Sequence, residues 1–253
     1  MAGTIIAVTN QKGGVGKTTT TVNVAYYLAK QGKEVLLVDF DPQGNSTSGL
    51  GINKQQLSRT VIDAIQDGVP TVECIIPTRH KHLSLLPATP HLANAEAELA
   101  QLPHRFTRLK SALQGHTYDF VLIDCPPSLS LLTVNALIAA QYLLLPVQAE
   151  FYALEGLSQL LETVQLIHKG LNPTLELLGV VLTMIDNRTT LSSQVHNEVK
   201  KYFPDKVFET VIPRNVRLAE APSHGLPIGV YDRWSKGARA YKSLTKEIVN
   251  RIG

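Results

Sequence analysis

Short runs of apolar, often β-branched residues alternate along the chain with longer segments in which apolar residues recur at a helical period. This alternation is typical of βαβ units and predicts a mostly parallel sheet. The predicted strands are Ile5–Thr9, Val35–Val38, Leu83–Leu86, Phe120–Ile123, Tyr142–Val147, Leu177–Thr183 and Val207–Ile212. The predicted helices cover about Lys17–Gln31, Val61–Gln66, Phe106–Gln114, Leu129–Ala140, Leu154–His168, Leu191–Tyr202 and Ala238–Ile252. We therefore expect one α/β domain over residues 1–253, with a mostly parallel twisted sheet and helices on both of its faces.

The residues that carry candidate chemistry lie at or just beyond the ends of the predicted strands. In an open parallel sheet, ligands bind in the crevice beyond the carboxyl ends of the strands. Six segments are therefore expected to converge on one site, and they are marked by Asn10, Asp39, Asp124, Val147, Thr183 and Ile212.

A glycine-rich loop joins the first strand to the first helix and reads Lys-Gly-Gly-Val-Gly-Lys-Thr-Thr. Its glycines allow backbone N–H groups to turn inward around a phosphate, and the following helix directs its positive end at the same anion. Lys17 is expected to neutralise the β- and γ-phosphates, and the Thr18 hydroxyl to bind Mg²⁺. The predicted nucleotide-binding residues of this P-loop are Lys12, Gly13, Gly14, Val15, Gly16, Lys17, Thr18 and Thr19.

The loop departs from the ordinary G-x-x-x-x-G-K-[ST] pattern at its beginning. Gln11 occupies the first glycine position, and a second lysine, Lys12, precedes the glycines. Because Lys17 already serves the phosphates of its own loop, Lys12 either adds charge in cis or reaches a nucleotide held by another subunit. The spacing alone leaves both alternatives open.

Three aspartates follow apolar runs and are candidates to complete the site. Asp39 and Asp41 end the second strand, which Pro42 stops, and both could face the phosphates. Asp124 closes the run Phe-Val-Leu-Ile, which is the Walker B arrangement for holding Mg²⁺ directly or through water. Cys125 has no neighbouring motif for a nucleophile, so we assign it to packing.

Composition and charge limit the remaining possibilities. The longest apolar stretches are broken before the roughly 18 to 20 residues that a membrane helix needs, and the two cysteines lack metal-ligand spacing. These features favour a soluble, cytoplasmic protein. Residues 188–253 contain 12 lysines and arginines against 6 acidic residues, a net charge of +6, whereas residues 1–187 contain 12 against 15, a net charge of −3. The basic carboxyl-terminal part indicates either a polyanion partner or a solvated lysine-rich face.

Five stretches together resemble the ParA/Soj partitioning ATPases of the deviant Walker A class, nearly from end to end. They are Lys12–Thr18, the Asp-Phe-Asp-Pro-Gln-Gly-Asn segment 39–45, the Ile-Asp-Cys-Pro-Pro segment 123–127, residues 182–188 and residues 211–225. The last two stretches are not motifs of ATPases in general, so they point to this class in particular. The sequence contains no recognisable base-reading motif, and no amino-terminal helix-turn-helix domain of the kind found in larger plasmid relatives is expected before the first strand, so sequence-specific DNA binding is not expected.

The resemblance implies a role for each matching residue. Lys12 resembles the lysine that crosses a dimer interface to the partner's nucleotide, and Asp41 resembles the aspartate that positions the attacking water. Lys17, Thr18 and Asp124 match the phosphate lysine, the Mg²⁺ ligand and the Walker B aspartate, and the residues similar to those that contact adenine are Pro213 and Asn215.

The same resemblance implies partners. The ATP-bound homodimer of such proteins binds double-stranded DNA at the nucleoid without sequence preference, and a centromere-binding ParB-type protein stimulates their slow hydrolysis. Phosphate contacts by basic side chains give affinity of this kind without base recognition. The candidate DNA-binding residues are Arg188, Lys200, Lys201, Arg217, Lys236 and Arg239.

Three other functions are considered. A MinD-like membrane regulator would need an amphipathic carboxyl-terminal helix, and the apolar stripe of Ala238–Ile252 is instead expected to pack on the sheet. A redox protein similar to the nitrogenase iron protein would need paired cysteines after the Walker B segment, and these are missing. A metabolic ligase or phosphotransferase would need an acceptor substrate, on which the sequence is silent.

Overall fold

The computed structural model describes residues 3–150, 157–186 and 190–253. Within these ranges the chain forms a seven-stranded sheet with the order β3-β4-β2-β5-β1-β6-β7. The strands are β1 Thr4–Val8, β2 Val35–Asp39, β3 Ile76–Pro77, β4 Leu83–Leu86, β5 Phe120–Asp124, β6 Tyr142–Gln148 and β7 Glu176–Thr183. All neighbouring strands pair in parallel except β3, which is a two-residue antiparallel strand at the edge beside β4.

The register of the central strands places the candidate residues at one edge of the sheet. Val8, the last residue of β1, pairs with Asp124, and Asp124 also pairs with Asp39 at the end of β2. Because these strands are parallel, their carboxyl ends and the loops that follow them lie side by side.

Helices cover both faces of the sheet. They are α1 Lys17–Lys30, α2 Asn45–Gly49, α3 Val61–Ile65, α4 Thr71–Cys74, α5 His91–Leu99, α6 Arg108–Ala112, α7 Leu131–Ala139, α8 Leu157–Gly170, α9 Thr190–Tyr202, α10 Val216–Glu220, α11 Ile228–Tyr231 and α12 Lys236–Ile252, with two short 3₁₀ turns at Lys54–Gln56 and Ala221–His224.

The alternation of side chains along each strand divides the core into two layers. On β1, Ile5 and Ala7 face a layer that includes buried residues of α3, α5, α7 and α9. Ile6 and Val8 face the other layer, which α1 and α12 cover. The predicted α/β fold with helices on both faces of the sheet is therefore confirmed.

The predicted strand at Val207–Ile212 is wrong. This segment makes isolated bridges beside β7, from Val180 to Val207 and from Ile185 to Pro213, but no continuous ladder. Between the bridges, the backbone N–H groups of Glu209 and Thr210 donate to the carboxylate of Glu247 on α12, at 2.9 and 3.1 Å. The seventh strand of the sheet is instead β3, which has too few residues to give a period-2 pattern.

The predicted long helices agree with the structure to within about three residues at the ends that it describes. The predicted start of the fifth helix at Leu154 lies outside the described residues. The short helices α2, α4, α5, α10 and α11 were not predicted, since four or five residues give no measurable period and α5 follows a proline without a side-chain cap. No helix in the described ranges combines the length and apolar character needed to cross a membrane.

Candidate nucleotide-binding site

The glycine loop between β1 and α1 has the backbone conformation of an anion cradle. Gly14 and Gly16 have φ angles of 75° and 92°, in the left-handed region that favours glycine. Gly16 is the N-cap of α1, and no side chain caps this helix end. The first N–H groups of α1 are therefore directed at the loop, where they can bind a phosphate. The Thr183 hydroxyl at the end of β7 donates to the carbonyl oxygen of Val15 at 2.8 Å and fixes the loop against the sheet.

Lys17 points into this loop. Its Nζ donates to the carbonyl oxygen of Lys12 at 3.1 Å, so the side chain spans the cradle, and the residue is buried. Burial lowers the pKa of Lys17, and the nearby charges of Asp124 and Asp41 oppose that effect. A bound polyphosphate would supply the missing negative charge beside this buried ammonium group.

Lys12 points away from the cradle. Its Nζ pairs with Oε2 of Glu150 at 2.7 Å, and the two side chains are 40% and 43% exposed. Glu150 also accepts a hydrogen bond from Gln148 at the end of β6. The two lysines of the loop therefore occupy different environments, one buried inside the cradle and the other at its exposed rim.

Asp39 and Asp41 follow β2 but have different surroundings. Asp39 is fully buried, and its Oδ2 accepts hydrogen bonds from the Thr47 amide at 2.7 Å and the Thr47 hydroxyl at 2.6 Å. Burial, reinforced by the charge of Asp124, raises the pKa of Asp39 to about 8. Asp41 accepts a hydrogen bond from the Gln43 amide at 2.9 Å through Oδ1, and no other described residue donates to its side chain. Asp39 therefore has a structural role, whereas Asp41 retains an oxygen for a ligand or water.

Asp124 has the surroundings of a metal-binding carboxylate. It is fully buried, hydrogen-bonded to the Thr18 hydroxyl, and its Oδ2 accepts from the Ser46 hydroxyl at 2.8 Å. Burial raises the pKa of Asp124 to about 6, which a neighbouring cation would reverse. Hydroxyl and carboxylate oxygens are ligands that Mg²⁺ prefers. Thr18 and Asp124, placed beside the cradle, therefore fit an Mg²⁺ ion held directly or through water.

A cavity of about 520 Å³ opens from the glycine loop toward the segment after β7. Pro213 and Asn215, which were predicted to contact adenine, both line it. Asn215 also caps α10 by accepting a hydrogen bond from the Arg217 amide at 2.9 Å. Gly14, Gly16 and Thr19 also line the cavity, which is therefore continuous with the phosphate cradle and has room for a base and ribose.

Comparison with known proteins agrees with this geometry. Residues 3–177 match a family model described as an AAA domain. The chain is 58% identical to the sporulation initiation inhibitor protein Soj of Bacillus subtilis, over 97% of this chain and 98% of Soj. It is 53% identical to the chromosome-partitioning ATPase Soj of Thermus thermophilus, over 98% of this chain and 96% of that protein. The chain belongs to the Soj/ParA family of partitioning ATPases.

A solved structure supports the ligands of this Soj/ParA site. The fold superimposes on cobyrinic acid a,c-diamide synthase from Mycobacterium smegmatis with bound ADP and magnesium, with a TM-score of 0.87 and 37% identity over 99% of this chain and 96% of that one. The chain is thus a P-loop ATPase whose nucleotide and metal are ATP and Mg²⁺.

The structure divides the candidate DNA-binding residues of this Soj/ParA protein into two groups. Arg217 on α10 and Lys236 and Arg239 on α12 are exposed, and both helices contribute other residues to the lining of the nucleotide cavity. Lys200 and Lys201 lie at the far end of α9, whose apolar residues pack in the other layer. These two groups are on opposite faces of the sheet, so one flat surface does not contain both. Arg188 lies outside the described residues.

Several residues that shape the site were not predicted. Ser46 and Thr47 on α2 donate hydrogen bonds to the carboxylates of Asp124 and Asp39, and Glu150 holds Lys12. Ser46 and Thr47 follow the Asp-Pro-Gln-Gly segment after one intervening residue, and this cluster of hydroxyls is the signal in the sequence that indicates donors to the two carboxylates. Glu150 gives no signal in the sequence, because 137 residues separate it from Lys12.

Both cysteines lie in apolar surroundings that suit a packing role. Cys74 and Cys125 are buried in the same apolar layer, and burial raises the pKa of each thiol. A raised thiol pKa is the opposite of what a nucleophile or thiolate ligand requires. The assignment of Cys125 to packing is consistent with this environment, and no cluster of three metal-binding residues occurs in the described part of the chain.

Proposed function

We propose that this protein is an ATP-driven DNA-partitioning switch. ATP and Mg²⁺ would bring two subunits face to face, and the dimer would bind double-stranded DNA of the nucleoid without sequence preference. A ParB-type centromere-binding partner would then accelerate hydrolysis, and the ADP-bound subunits would separate and release the DNA. Two relatives are named chromosome partitioning protein ParA and chromosome-partitioning ATPase Soj, and these names support the partitioning role.

The observation that carries this proposal is the different orientation of the two loop lysines. Lys17 spans its own cradle, so the phosphates in cis already have a cation. Lys12 lies at the rim, and among the described residues the carboxylate of Glu150 is the only side chain that pairs with its ammonium group. An exposed ion pair contributes only about 0 to 1 kcal/mol, so a polyphosphate on a second subunit could displace Glu150 at little cost. This arrangement favours the reading in which Lys12 acts in trans.

The residues around the cradle suggest how hydrolysis proceeds. Mg²⁺ held by Thr18 and Asp124 would neutralise charge on the β- and γ-phosphate oxygens. Asp41 is buried beside Lys17 and keeps Oδ2 without a donor from the described residues, which suits it to orient the attacking water. Lys17 spans the cradle of its own subunit, whereas Glu150 holds Lys12 at the rim, which fits a slow basal rate until a second subunit and a partner complete the site.

The rival functions are less well supported. For a MinD-like membrane anchor, the apolar stripe of α12 would need to be free, but Ala238, Tyr241, Leu244 and Ile248 are buried against the sheet and α1. A small-molecule ligase is the alternative favoured by the likeness to cobyrinic acid a,c-diamide synthase, which is 37% identical to this chain. The Soj relative has a higher identity, 58% over nearly the full length of both chains, so partitioning is the better supported function.

The test is the binding of a random-sequence DNA duplex with no nucleotide, with ADP, and with ATP and Mg²⁺, over a range of salt concentrations. The wild type should bind tightly only with ATP, and affinity should fall steeply with salt. Lys12→Ala should bind DNA with ATP no better than the wild type does with ADP, and should remain monomeric by light scattering.

Glu150→Gln is the matched control for Lys12→Ala. It breaks the same exposed ion pair but leaves the lysine in place, so the free energy of unfolding should change by less than about 1 kcal/mol and ATP-dependent DNA binding should persist. A Lys12→Ala protein that dimerises and binds DNA normally would contradict the proposed switch. If neither protein binds DNA in any state, a screen for acceptor-dependent ATP turnover would test the ligase function.

A further inference from the structure

An exposed tryptophan lies beside the start of α12. Trp234 is the only tryptophan in the sequence, and 74% of its surface is exposed. The guanidinium carbon of Arg233 lies 4.8 Å from the centre of the indole ring. Isolated exposed apolar residues are common on protein surfaces, so the surroundings of Trp234 decide what it could bind.

The backbone at Trp234 is held rigidly. Oδ1 of Asp232 accepts hydrogen bonds from the amides of Trp234 and Ser235, both at 3.1 Å. The Ser235 hydroxyl in turn caps α12 by accepting from the Ala238 amide at 3.1 Å. The indole ring is thus displayed on a turn that the helix cap fixes, and a ligand would not have to order this segment before binding.

Basic residues lie close to Trp234 in the chain. Arg233, Lys236 and Arg239 lie within five residues of it, are exposed, and make no ion pair with the described residues. Arg217 is also close, since its Nε lies 3.6 Å from Asp232, and it pairs with Glu220 at 2.9 Å. We call Trp234 and these four cations the Trp234 surface. Its four cations outnumber the two carboxylates of Glu220 and Asp232.

We propose that Trp234 contacts duplex DNA directly, packing its ring against sugars and base edges while the cations around it bind phosphates. This inference rests on the proposed function, because it assumes that DNA is the polyanion. A flat ring beside four exposed cations, three of which make no ion pair with the described residues, fits a ligand that offers apolar aromatic surface and regular negative charge together. One ring among four cations provides little apolar area for insertion into a bilayer, which disfavours a lipid surface.

The single tryptophan allows the contact to be measured directly. A dye-labelled random-sequence duplex is titrated with the protein in ATP and Mg²⁺, and dye anisotropy and tryptophan emission are recorded on the same samples. We expect the emission of Trp234 to change in parallel with the anisotropy. We expect Trp234→Ala to weaken binding about tenfold without changing the slope of affinity against salt, because the ring displaces no counterions. Lys236→Ala should instead reduce that slope by about one ion.

Two variants separate a direct contact from a structural effect. Trp234→Phe keeps an aromatic ring and should retain most of the affinity. Phe106→Ala is the matched control, because Arg105 covers the Phe106 ring at the same 4.8 Å distance but Phe106 lies before α6, outside the basic carboxyl-terminal part. Phe106→Ala should bind DNA as the wild type does.

The outcomes are distinguishable. ATP-dependent anisotropy with unchanged tryptophan emission, and with Trp234→Ala binding within twofold of the wild type, would overturn this inference and leave the proposed function intact. Absence of any anisotropy change in every nucleotide state would refute the proposed function itself. An emission change on vesicles of phosphatidylserine and phosphatidylcholine, with none on DNA, would assign the Trp234 surface to membranes and overturn the DNA contact.

Discussion

At the scale of single residues, the buried carboxylates of Asp39 and Asp124 have the strongest effect on how the stability of the protein depends on pH. They end neighbouring strands and pair directly in the sheet register. Burial raises both pKa values above the ordinary range, and the charge of Asp124 raises the pKa of Asp39 further. The sheet tolerates this arrangement because Thr47, Ser46 and Thr18 donate hydrogen bonds to the two carboxylates.

This pair predicts how the stability of the nucleotide-free protein depends on pH. A carboxyl group whose pKa is higher in the folded state binds more protons when folded, so the free energy of unfolding should fall as pH rises from about 4 to about 8. Asp39→Asn keeps an acceptor for Thr47 but cannot ionise, so it should make this fall shallower. Urea unfolding at pH 5, 6, 7 and 8 measures the slopes, and equal slopes in wild type and variant would contradict the assignment.

At the scale of elements, the segment after α9 has the sequence pattern of a strand, but its tertiary contacts with α12 prevent it from forming one. Its apolar residues at 207, 208, 211 and 212 have the composition of a strand, yet only its ends pair with the β7 side of the sheet. The α12 side chain of Glu247 takes the intervening N–H groups, and Arg251 on the same helix donates to the carbonyl oxygens of Lys206 and Val207. The segment therefore connects β7 to α12 and does not extend the sheet.

Gly179 on β7 should be necessary for this connection. A methyl group at Gly179 would lie 2.5 Å from the carbonyl oxygen of Lys206 and 2.7 Å from the Phe208 ring, so the segment would have to move. We expect Gly179→Ala to lower the free energy of unfolding by about 1 to 3 kcal/mol. Gly170→Ala, at the end of α8 where a methyl group meets no atom within 4 Å, is the control and should be neutral or stabilising. Chemical denaturation of both variants tests the difference, and equal stabilities would refute the steric argument.

In the whole molecule, the site is built from loops of six segments on one edge of the sheet, so ligand binding should stabilise the entire domain. With ATP at about 100 times its Kd, binding contributes about 2.7 kcal/mol, which corresponds to a rise in Tm of about 5 to 10 °C for a chain of this size. Lys17→Ala should lose most of this rise because it removes the cation inside the cradle. Lys12→Ala should keep the part that comes from binding within one subunit.

Removal of Mg²⁺ also tests how ATP bound in the cradle stabilises the domain. Chelation of Mg²⁺ by EDTA should reduce the ATP-induced rise in Tm of the wild type, because Thr18 and Asp124 would lose their shared cation and the phosphates would lose charge compensation. Thermal unfolding followed by circular dichroism, with each variant compared with its own nucleotide-free state, measures these effects. An unchanged ATP-induced rise in Lys17→Ala would contradict the placement of the phosphates.

Sequence by itself determined the fold class, the position of the glycine loop and the residues that line the cradle. These features are local: a run of apolar residues predicts a buried strand, and glycines followed by Lys17 and Thr18 predict a phosphate loop wherever the strand ends. The family resemblance also implies adenine contacts at Pro213 and Asn215, and both residues line the cavity beside the loop.

Tertiary structure decided everything that depends on residues distant in the chain. Only folding places Glu150 against Lys12 and Thr183 against Val15, across separations of 138 and 168 residues in the chain. It also separated Lys200 and Lys201 from the other candidate DNA-binding residues, since α9 and α12 cover opposite faces of the sheet. Charge and hydrophobic periodicity are local properties of the sequence. The pairing of these side chains depends instead on the closure of loops of more than a hundred residues, which a local pattern does not predict.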